Sequence, residues 1–150
     1  MKIEIPPEIK NLKRKYRYTE YFKDKMWSAI SLYVVARDEK KYGGICIACG
    51  LKKKLQAGHY APAMNCGFAL LFDEDNIHGE CEYDNGFNEG HLIGYKNGLE
   101  KRYGKEFVDR LEERYNDSRY KGLVTKEYSK LEYISKILEV LKKYSELSTD

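Results

Sequence analysis

Three cysteines and one aspartate are spaced as the ligands of a single metal ion. Cys46 and Cys49 are separated by two residues and followed by Gly50, an arrangement that can place two thiolates on one tetrahedral ion. Cys81 and Asp84 repeat the same gap farther along the chain. We predict a structural zinc site with these four ligands, and a metal-free knuckle of packed cysteines is the competing interpretation. Alternatives for the fourth ligand are Cys66, His78 and His91, the last of which is otherwise expected at the surface.

A second set of residues has the chemistry to hydrolyse a phosphodiester bond. His59 lies in the segment Gln56–Tyr60, and the near-neutral pKa of histidine suits a general base that activates water. Asn85 and Glu89 would share one face of a helix that begins near Cys81–Asn85. Amide and carboxylate oxygens favour a hard ion, Mg²⁺ or Mn²⁺, which would stabilise the pentavalent phosphate and the leaving 3′ oxygen. Candidate ligands of this catalytic ion are Asn85, Glu89, Glu74 and Asp73.

The charge of the chain is unevenly distributed, in a way that fits DNA as the partner. The formal net charge is only +3. Residues 1–60 contain 14 Lys or Arg and 6 Asp or Glu, whereas the rest of the chain contains 13 and 18, so the basic part could face phosphate. Tyrosines interleaved with the basic residues of 10–18 suit phosphates and stacked bases, although a solvated tail fits equally well. Candidate DNA contacts are Lys13, Arg14, Lys15, Arg17, Lys52, Lys53 and Lys54.

Apolar periodicity predicts the elements that must position these side chains. Residues 19–41 repeat apolar side chains at helical spacing and should form an amphipathic helix, which Gly43 and Gly44 end before the cysteine knuckle. The segments Leu55–Tyr60 and Phe68–Phe72 are the predicted strands of a small hairpin. Further helices are predicted from near Cys81–Asn85, over Leu92–Tyr103, around Phe107–Tyr115 and over a long final segment, Tyr128–Leu141.

The predicted fold class is α+β, with a small ββα centre between N- and C-terminal helices. A chain of 150 residues suits one domain, made of a basic N-terminal arm and helix (1–42), the knuckle and ββα centre (43–92) and C-terminal helices (93–150). The apolar face of the last helices could be core of the same chain or the interface of a homodimer. Short apolar runs and an N-terminus without a secretory signal predict a cytoplasmic protein without membrane contact, which favours metal over disulfides.

The order of these motifs resembles the phage NinG/Rap recombination nucleases, which are related by motif to the HNH (ββα-metal) endonucleases and to phage endonuclease VII. The resemblance runs from about Tyr33 to Tyr103 and consists of Cys-x-x-Cys, Gln-Ala-Gly-His-Tyr, Phe-Asp-Glu-x-Asn-x-His and Cys-x-x-Asp-Asn. It implies zinc on the cysteines. It also implies roles for four further residues: His59 as general base, Asn76 as the tie of the catalytic loop, Asn85 as metal ligand, and His78 as a metal or phosphate contact or a structural hydrogen bond.

The chain departs from the family pattern at four positions. Asp84 stands where the family has a fourth cysteine, Leu71 where an arginine is frequent, and Asn88 where a lysine is common. Gly58 occupies the place of a second metal ligand in many HNH enzymes. These departures put in doubt the zinc affinity, the contacts to phosphate and the ligand set of the catalytic ion.

The resemblance implies a metal-dependent DNA endonuclease that acts on branched recombination intermediates, such as D-loops and Holliday junctions, as a phage or prophage protein in the host cell. Two other interpretations stay open. A general HNH nicking or restriction-like endonuclease would use the same residues on other DNA. A zinc-stabilised DNA-binding module without catalysis would account for the departures from the family pattern.

Overall fold

The computed structural model of the chain describes residues 18–63, 66, 70–86, 91–120 and 128–147. The chain divides into two compact units, one comprising 1–33 and 128–150 and the other comprising 34–127. None of the helices in the described ranges combines the length and the apolar character that a membrane span requires. The organisation as one domain stays a prediction.

Helix α1 spans Tyr18–Tyr42, which confirms the helix predicted over 19–41. Its last turn carries Lys40 and Lys41, whose positive charges favour the carboxyl end of a helix dipole. Gly43 and Gly44 follow with φ angles of 67° and 77°, a left-handed conformation that glycine adopts without steric cost. The two glycines therefore end the helix, as predicted, and turn the chain into the cysteine knuckle.

The first unit pairs the amino-terminal part of α1 with helix α5, Lys130–Leu147. The rings of Phe22 and Tyr133 stack with centroids 5.9 Å apart, and both side chains are fully buried. A capping box begins α5: the Oγ of Ser129 accepts from the N–H of Glu132 at 3.2 Å, and the Glu132 carboxylate accepts from the Ser129 N–H at 3.4 Å. The predicted final helix is thus confirmed.

The second unit contains a two-stranded antiparallel sheet, formed by β1 (Leu55–His59) and β2 (Ile77–Cys81). Leu55 pairs with Cys81 and His59 with Ile77. The prediction of the second strand at Phe68–Phe72 is wrong. Leu70 is helical and fully buried in the core cluster of the following helices, so its apolar neighbourhood reflects tertiary packing. The true β2 is buried along its whole length, but its central residues are His78, Gly79 and Glu80, so it lacks the apolar run that identifies a buried strand.

Three helices follow the sheet: α2 (Glu82–Gly86), α3 (His91–Tyr103) and α4 (Lys105–Tyr120). Gly104, with a φ of 92°, separates α3 from α4, as the sequence predicts. One buried apolar cluster contains residues of α3, α4, the knuckle and the segment between the two strands. Its members are Ile47, Ala61, Cys66, Leu70, Tyr95, Leu99, Val108 and Leu111. The described residues form a small mixed α and β structure, mostly helical, with one two-stranded sheet.

Two glycines on α3 let the knuckle backbone pack directly against that helix. A Cβ atom on Gly94 would overlap the carbonyl oxygen of Ala48, and one on Gly98 would overlap the carbonyl oxygen of Ile47. Any side chain at either position would have to displace backbone atoms. The helix therefore supports the knuckle through contacts that require glycine.

Candidate functional site

The four predicted zinc ligands form one cluster. Donor atoms of Cys46, Cys49, Cys81 and Asp84 all lie within 4.8 Å of one another, and no larger group of such side chains appears among the described residues. The first two ligands come from a turn in which the Gly50 N–H donates to the Cys46 carbonyl at 2.9 Å, with Gly50 at a φ of 73°. The Cys-x-x-Cys-Gly spacing thus places two sulfurs side by side.

The other two ligands come from the end of β2 and from α2. Asp84 Oδ2 accepts from the Cys46 thiol at 3.3 Å and from the Cys81 thiol at 3.1 Å. The Cys81 N–H donates to Cys46 Sγ at 3.3 Å, a contact that stabilises a thiolate. One carboxylate oxygen therefore lies between two sulfurs, where a shared metal ion would replace the two thiol protons.

Burial raises the pKa of Cys46, Cys49 and Cys81. Two buried thiols, the more exposed thiol of Cys49 and a buried carboxylate beside them favour a cation that would deprotonate the thiols and balance the charge. Three sulfurs and one oxygen at these separations fit a tetrahedral ion with metal–sulfur bonds of about 2.3 Å. The cluster could hold a metal ion such as zinc.

The alternative fourth ligands lie elsewhere. The thiol of Cys66 is placed 3.8 Å from the carbonyl of Ala63 and packs in the helical core. His78 and His91 are bound to other partners, as given below. Among the described residues, Asp84 is the fourth donor of the cluster.

His59, the predicted general base, is the last residue of β1 and is partly buried. Its Nε2 lies 2.7 Å from the carbonyl oxygen of Leu71. A carbonyl accepts only, so Nε2 carries the proton, and the lone pair of the neutral ring is on Nδ1. Burial lowers the pKa of His59. The ring is therefore held neutral near pH 7, in the form that can accept a proton.

Asn76 ties the segment before β2 to the end of β1. Its fully buried amide accepts from the Ala61 N–H at 2.7 Å and donates to the carbonyls of Ala61 and Leu70, both at 3.1 Å. The Asn76 carbonyl also accepts from the Tyr60 N–H at 2.9 Å. These bonds hold the backbone that follows His59 and the backbone at Leu70; the role of Asn76 that the family resemblance implies stays a prediction.

His78 makes structural hydrogen bonds through both ring nitrogens. Nε2 donates to the Asp75 carbonyl at 2.9 Å, and Nδ1 accepts from the Arg37 guanidinium at 3.1 Å. Burial, together with the charge of Arg37, lowers the pKa of His78 to about 4. Neither nitrogen is left to bind metal or phosphate, so the geometry favours the structural alternative for this residue.

Asn85 lies on α2 opposite Gly58 of β1. A Cβ atom on Gly58 would meet Asn85 Oδ1 at 2.6 Å and would overlap Glu80 Oε1. Glu80 is fully buried. Its Oε2 is bound to His91 Nδ1 at 2.8 Å. The pKa of Glu80 is raised, because the effect of burial exceeds the lowering by the hydrogen bond from His91. The space beside Gly58 is thus lined by an amide oxygen and a carboxylate oxygen.

The other predicted ligands of the catalytic ion do not join this group among the described residues. Asp73 Oδ2 forms an ion pair with Arg114 at 2.7 Å, and Oδ1 accepts from the Asp75 N–H. Glu74 begins a short 3₁₀ turn, Glu74–Asn76. Glu89 lies outside the described residues, as do Lys13, Arg14, Lys15 and Arg17. Lys52, Lys53 and Lys54 are exposed next to the knuckle.

Sequence reasoning missed Glu80, His91 and Arg37 as residues of this site. His91 is partly buried against Glu80, whereas the sequence predicts it at the surface. Arg37 donates to the Ile77 carbonyl at 3.1 Å and to the Glu74 carbonyl at 3.4 Å, so α1 anchors the segment that precedes β2. The sequence signal available was only that Glu80 directly precedes Cys81, a predicted ligand; its full burial in β2 appears only in the structure.

The chain is similar to known phage proteins. The family model described as Bacteriophage Lambda NinG protein matches residues 6–143. Protein ninG of Escherichia phage 933W is 39% identical over 77 residues, which cover 50% of this chain and 38% of that protein. Protein ninG of Escherichia phage lambda is 38% identical over 77 residues, or 50% of this chain and 37% of that protein. Protein ninG of Enterobacteria phage H19B is 32% identical over 114 residues, or 75% and 55%.

The matched region covers less than two thirds of each of these three relatives. No solved structure matches the chain. The family match extends over most of the chain and includes every described residue of the sheet, the knuckle and helix α2. The chain belongs to the NinG family.

Proposed function

We propose that this NinG-family chain is a metal-dependent DNA endonuclease of the HNH (ββα-metal) type. The observation that carries the proposal is the placement of His59 at the end of β1, of Asn76 in the turn directly before β2 and of Asn85 on the short helix after β2. The cluster of three cysteines and Asp84 borders the same strands and could hold zinc. A binding surface alone would have no need for a neutral, backbone-anchored histidine one residue after Gly58, next to which an amide oxygen and a carboxylate oxygen lie.

In this proposal His59 takes a proton from the attacking water. The hydrogen bond from Nε2 to Leu71 fixes the ring, so Nδ1 is the basic atom. Asn76 acts as a positioning residue because it holds the backbone around the ring and is itself fully buried. Asn85 is a ligand of the divalent ion, Mg²⁺ or Mn²⁺, which would supply charge stabilisation for the phosphate and the leaving oxygen.

The proposed substrate is DNA, with branched recombination intermediates as the preferred form. The exposed basic side chains Lys52, Lys53 and Lys54 lie next to the knuckle, where they would contact backbone phosphates. Lys53 Nζ is 4.0 Å from Cys81 Sγ, which places one of these charges at the cluster itself. A homodimer could present two active sites to two strands of a junction, in the cytoplasm of the phage host.

The test is cleavage of an end-labelled four-way junction and of its matched linear duplex by the zinc-loaded chain. Wild-type protein should cut the junction after Mg²⁺ or Mn²⁺ is added and should not cut in buffer free of added divalent ions. Preference for the junction over the duplex would support the recombination role, and equal cutting would favour a general HNH nickase. Binding of both substrates without cutting under any of these conditions would contradict the proposal.

One observation favours a second candidate, a zinc-stabilised DNA-binding module without catalysis. The carboxylate of Asp73, a predicted ligand of the catalytic ion, is bound to Arg114, and residue 58 is glycine where many HNH enzymes carry a ligand. A module of this kind would bind DNA equally well with or without the His59 side chain and would cut with neither.

A further inference from the structure

Glu80 presents a buried carboxylate oxygen that the rest of the described structure does not satisfy. The side chain is fully buried on β2. Its Oε2 is 2.8 Å from His91 Nδ1, whereas its Oε1 has no hydrogen-bond partner among the described residues. Leaving a buried carboxylate oxygen without a partner is costly, and such atoms in native proteins point to a missing water, proton or ion.

The unsatisfied oxygen converges with Asn85 Oδ1 on a single point. That point is where a Cβ atom on Gly58 would lie, and it is 2.6 Å from Asn85 Oδ1 and closer still to Glu80 Oε1. Two oxygens bound to one Mg²⁺ are separated by roughly 3 to 4 Å, because octahedral metal–oxygen bonds are about 2.1 Å long. Because both oxygens lie close to one point, one hard ion could bind both of them after small side-chain adjustments.

Gly58 makes this arrangement sterically feasible. Any side chain at position 58 would occupy the space into which both oxygens point. The Gly58 carbonyl is fixed from the other side by the hydroxyl of Tyr95 at 2.7 Å, so the strand cannot easily move to make room. Where many HNH enzymes carry a ligand on this strand, the present chain has glycine, and the carboxylate of Glu80 from the neighbouring strand lies in the space that a side chain would fill.

We propose that Glu80, together with Asn85, is the protein ligand set of the divalent ion at this site, with Glu80 taking the place of the ligand absent at Gly58. The catalytic role of this ion rests on the proposed endonuclease function. The test of the ligands does not, because it measures binding of the ion alone. His91 is a positioning residue because its bond to Oε2 turns Oε1 toward the ion. The ion would bind Glu80, Asn85, water and a substrate phosphate oxygen, as Mg²⁺ does in sites with few protein ligands.

The test measures Mn²⁺ binding to the full, zinc-loaded chain without DNA, from the loss of the electron paramagnetic resonance signal of free Mn²⁺. Wild-type protein should bind one Mn²⁺ beyond its zinc. Glu80→Gln keeps the shape of the side chain and removes its charge, and it should weaken Mn²⁺ binding at least about tenfold. The matched control is Glu82→Gln, the same change at an exposed glutamate on α2, and it should bind Mn²⁺ as wild type does.

A second, double variant tests whether a carboxylate on β1 can replace that of Glu80. A gain of Mn²⁺ binding in this variant could not result from misfolding. Combining Gly58→Asp with Glu80→Ala returns a carboxylate to β1 and removes the side chain that would overlap it, while the flexible end of Asn85, 2.6 Å from the new Cβ atom, would have to shift. This double variant should recover Mn²⁺ binding to within about tenfold of wild type, and Glu80→Ala alone should not. Zinc content and melting temperature, measured for each variant, show whether the fold is intact.

Unchanged Mn²⁺ binding in Glu80→Gln, or absence of Mn²⁺ binding in wild type, would overturn the assignment. Failure of the proposed function would look different. Mn²⁺ bound through Glu80 without any cutting of DNA would leave the metal site standing and would contradict the endonuclease. Metal-dependent cutting that does not need Glu80 would leave the endonuclease standing and would remove Glu80 from the ligand set.

Discussion

The amide of Asn76 is paired with the backbone of Ala61 in both directions: Oδ1 accepts from the Ala61 N–H at 2.7 Å, and Nδ2 donates to the Ala61 carbonyl at 3.1 Å. This pairing joins the two ends of the long segment between β1 and β2: Asn76 lies directly before β2, and Ala61 lies two residues after His59, the last residue of β1. Asn76 therefore acts on the position of His59 through the backbone.

Asn76→Ala should destabilise the protein by about 2–4 kcal/mol, because it removes three hydrogen bonds and leaves the buried Ala61 N–H without a partner. Urea unfolding of the zinc-loaded protein measures this change. Asn116→Ala, at an exposed position of α4, is the control and should change the free energy of unfolding by less than about 0.5 kcal/mol. Equal free energies of unfolding for the two variants would show that the hydrogen bonds between Asn76 and Ala61 do not stabilise the protein.

Gly98→Ala should destabilise the second unit by about 1–3 kcal/mol and weaken zinc binding, since its methyl group would overlap the Ile47 carbonyl in the knuckle. Thermal unfolding and zinc content report the two effects. Gly86→Ala is the matched control because a Cβ atom there meets nothing within 4 Å. A Gly98→Ala protein as stable and as zinc-rich as wild type would disprove the close packing of knuckle and helix.

We expect one tightly bound zinc ion per chain by elemental analysis, held by Cys46, Cys49, Cys81 and Asp84. Cys81→Ser should reduce zinc content and lower the melting temperature. Asp84→Cys should retain the ion and bind it more tightly in competition with a chromogenic chelator, since thiolate is the softer ligand and restores the family pattern. Metal-free protein with an unaltered melting temperature would refute the zinc site.

The acid limb of the cleavage pH profile should have its midpoint below pH 6.5, the ordinary pKa of histidine. Burial lowers the pKa of His59, so the basic form that accepts a proton persists to lower pH than in a solvated histidine. Cleavage at saturating Mn²⁺, measured as kcat/KM between pH 5 and 8, gives the midpoint. A midpoint clearly above 6.5 would mean that the titrating base is not a histidine whose pKa is lowered by burial, which contradicts this account of His59.

Local patterns predicted the long helices and the knuckle because those features depend on nearby residues. The apolar repeat of α1 and the paired glycines after it determine both the helix and its end. The Cys-x-x-Cys-Gly turn is likewise local, and the two-residue gap before Asp84 places this residue on the first turn of α2. These features follow from sequence spacing alone.

The features that the sequence did not predict depend on contacts between segments that are distant along the chain. Strand β2 was misplaced because its five buried residues include His78, Gly79 and Glu80, which lack the apolar side chains that normally mark a buried strand. The pairing of Glu80 with His91 and the convergence of Glu80 with Gly58 both depend on how the sheet packs against the helices. A glutamate in an acidic stretch looks like solvated surface until the fold shows that it is fully buried.

The most direct test of the proposed activity is single-turnover cleavage of a labelled four-way junction in Mn²⁺ by wild type and by His59→Ala. Both proteins should bind the junction and contain zinc, and the variant should cut about 10²–10⁴-fold more slowly, with partial recovery in added imidazole. Cutting by His59→Ala at the wild-type rate would exclude His59 as the base. Failure of wild type to cut a junction that it binds would contradict the assignment of this chain as an endonuclease.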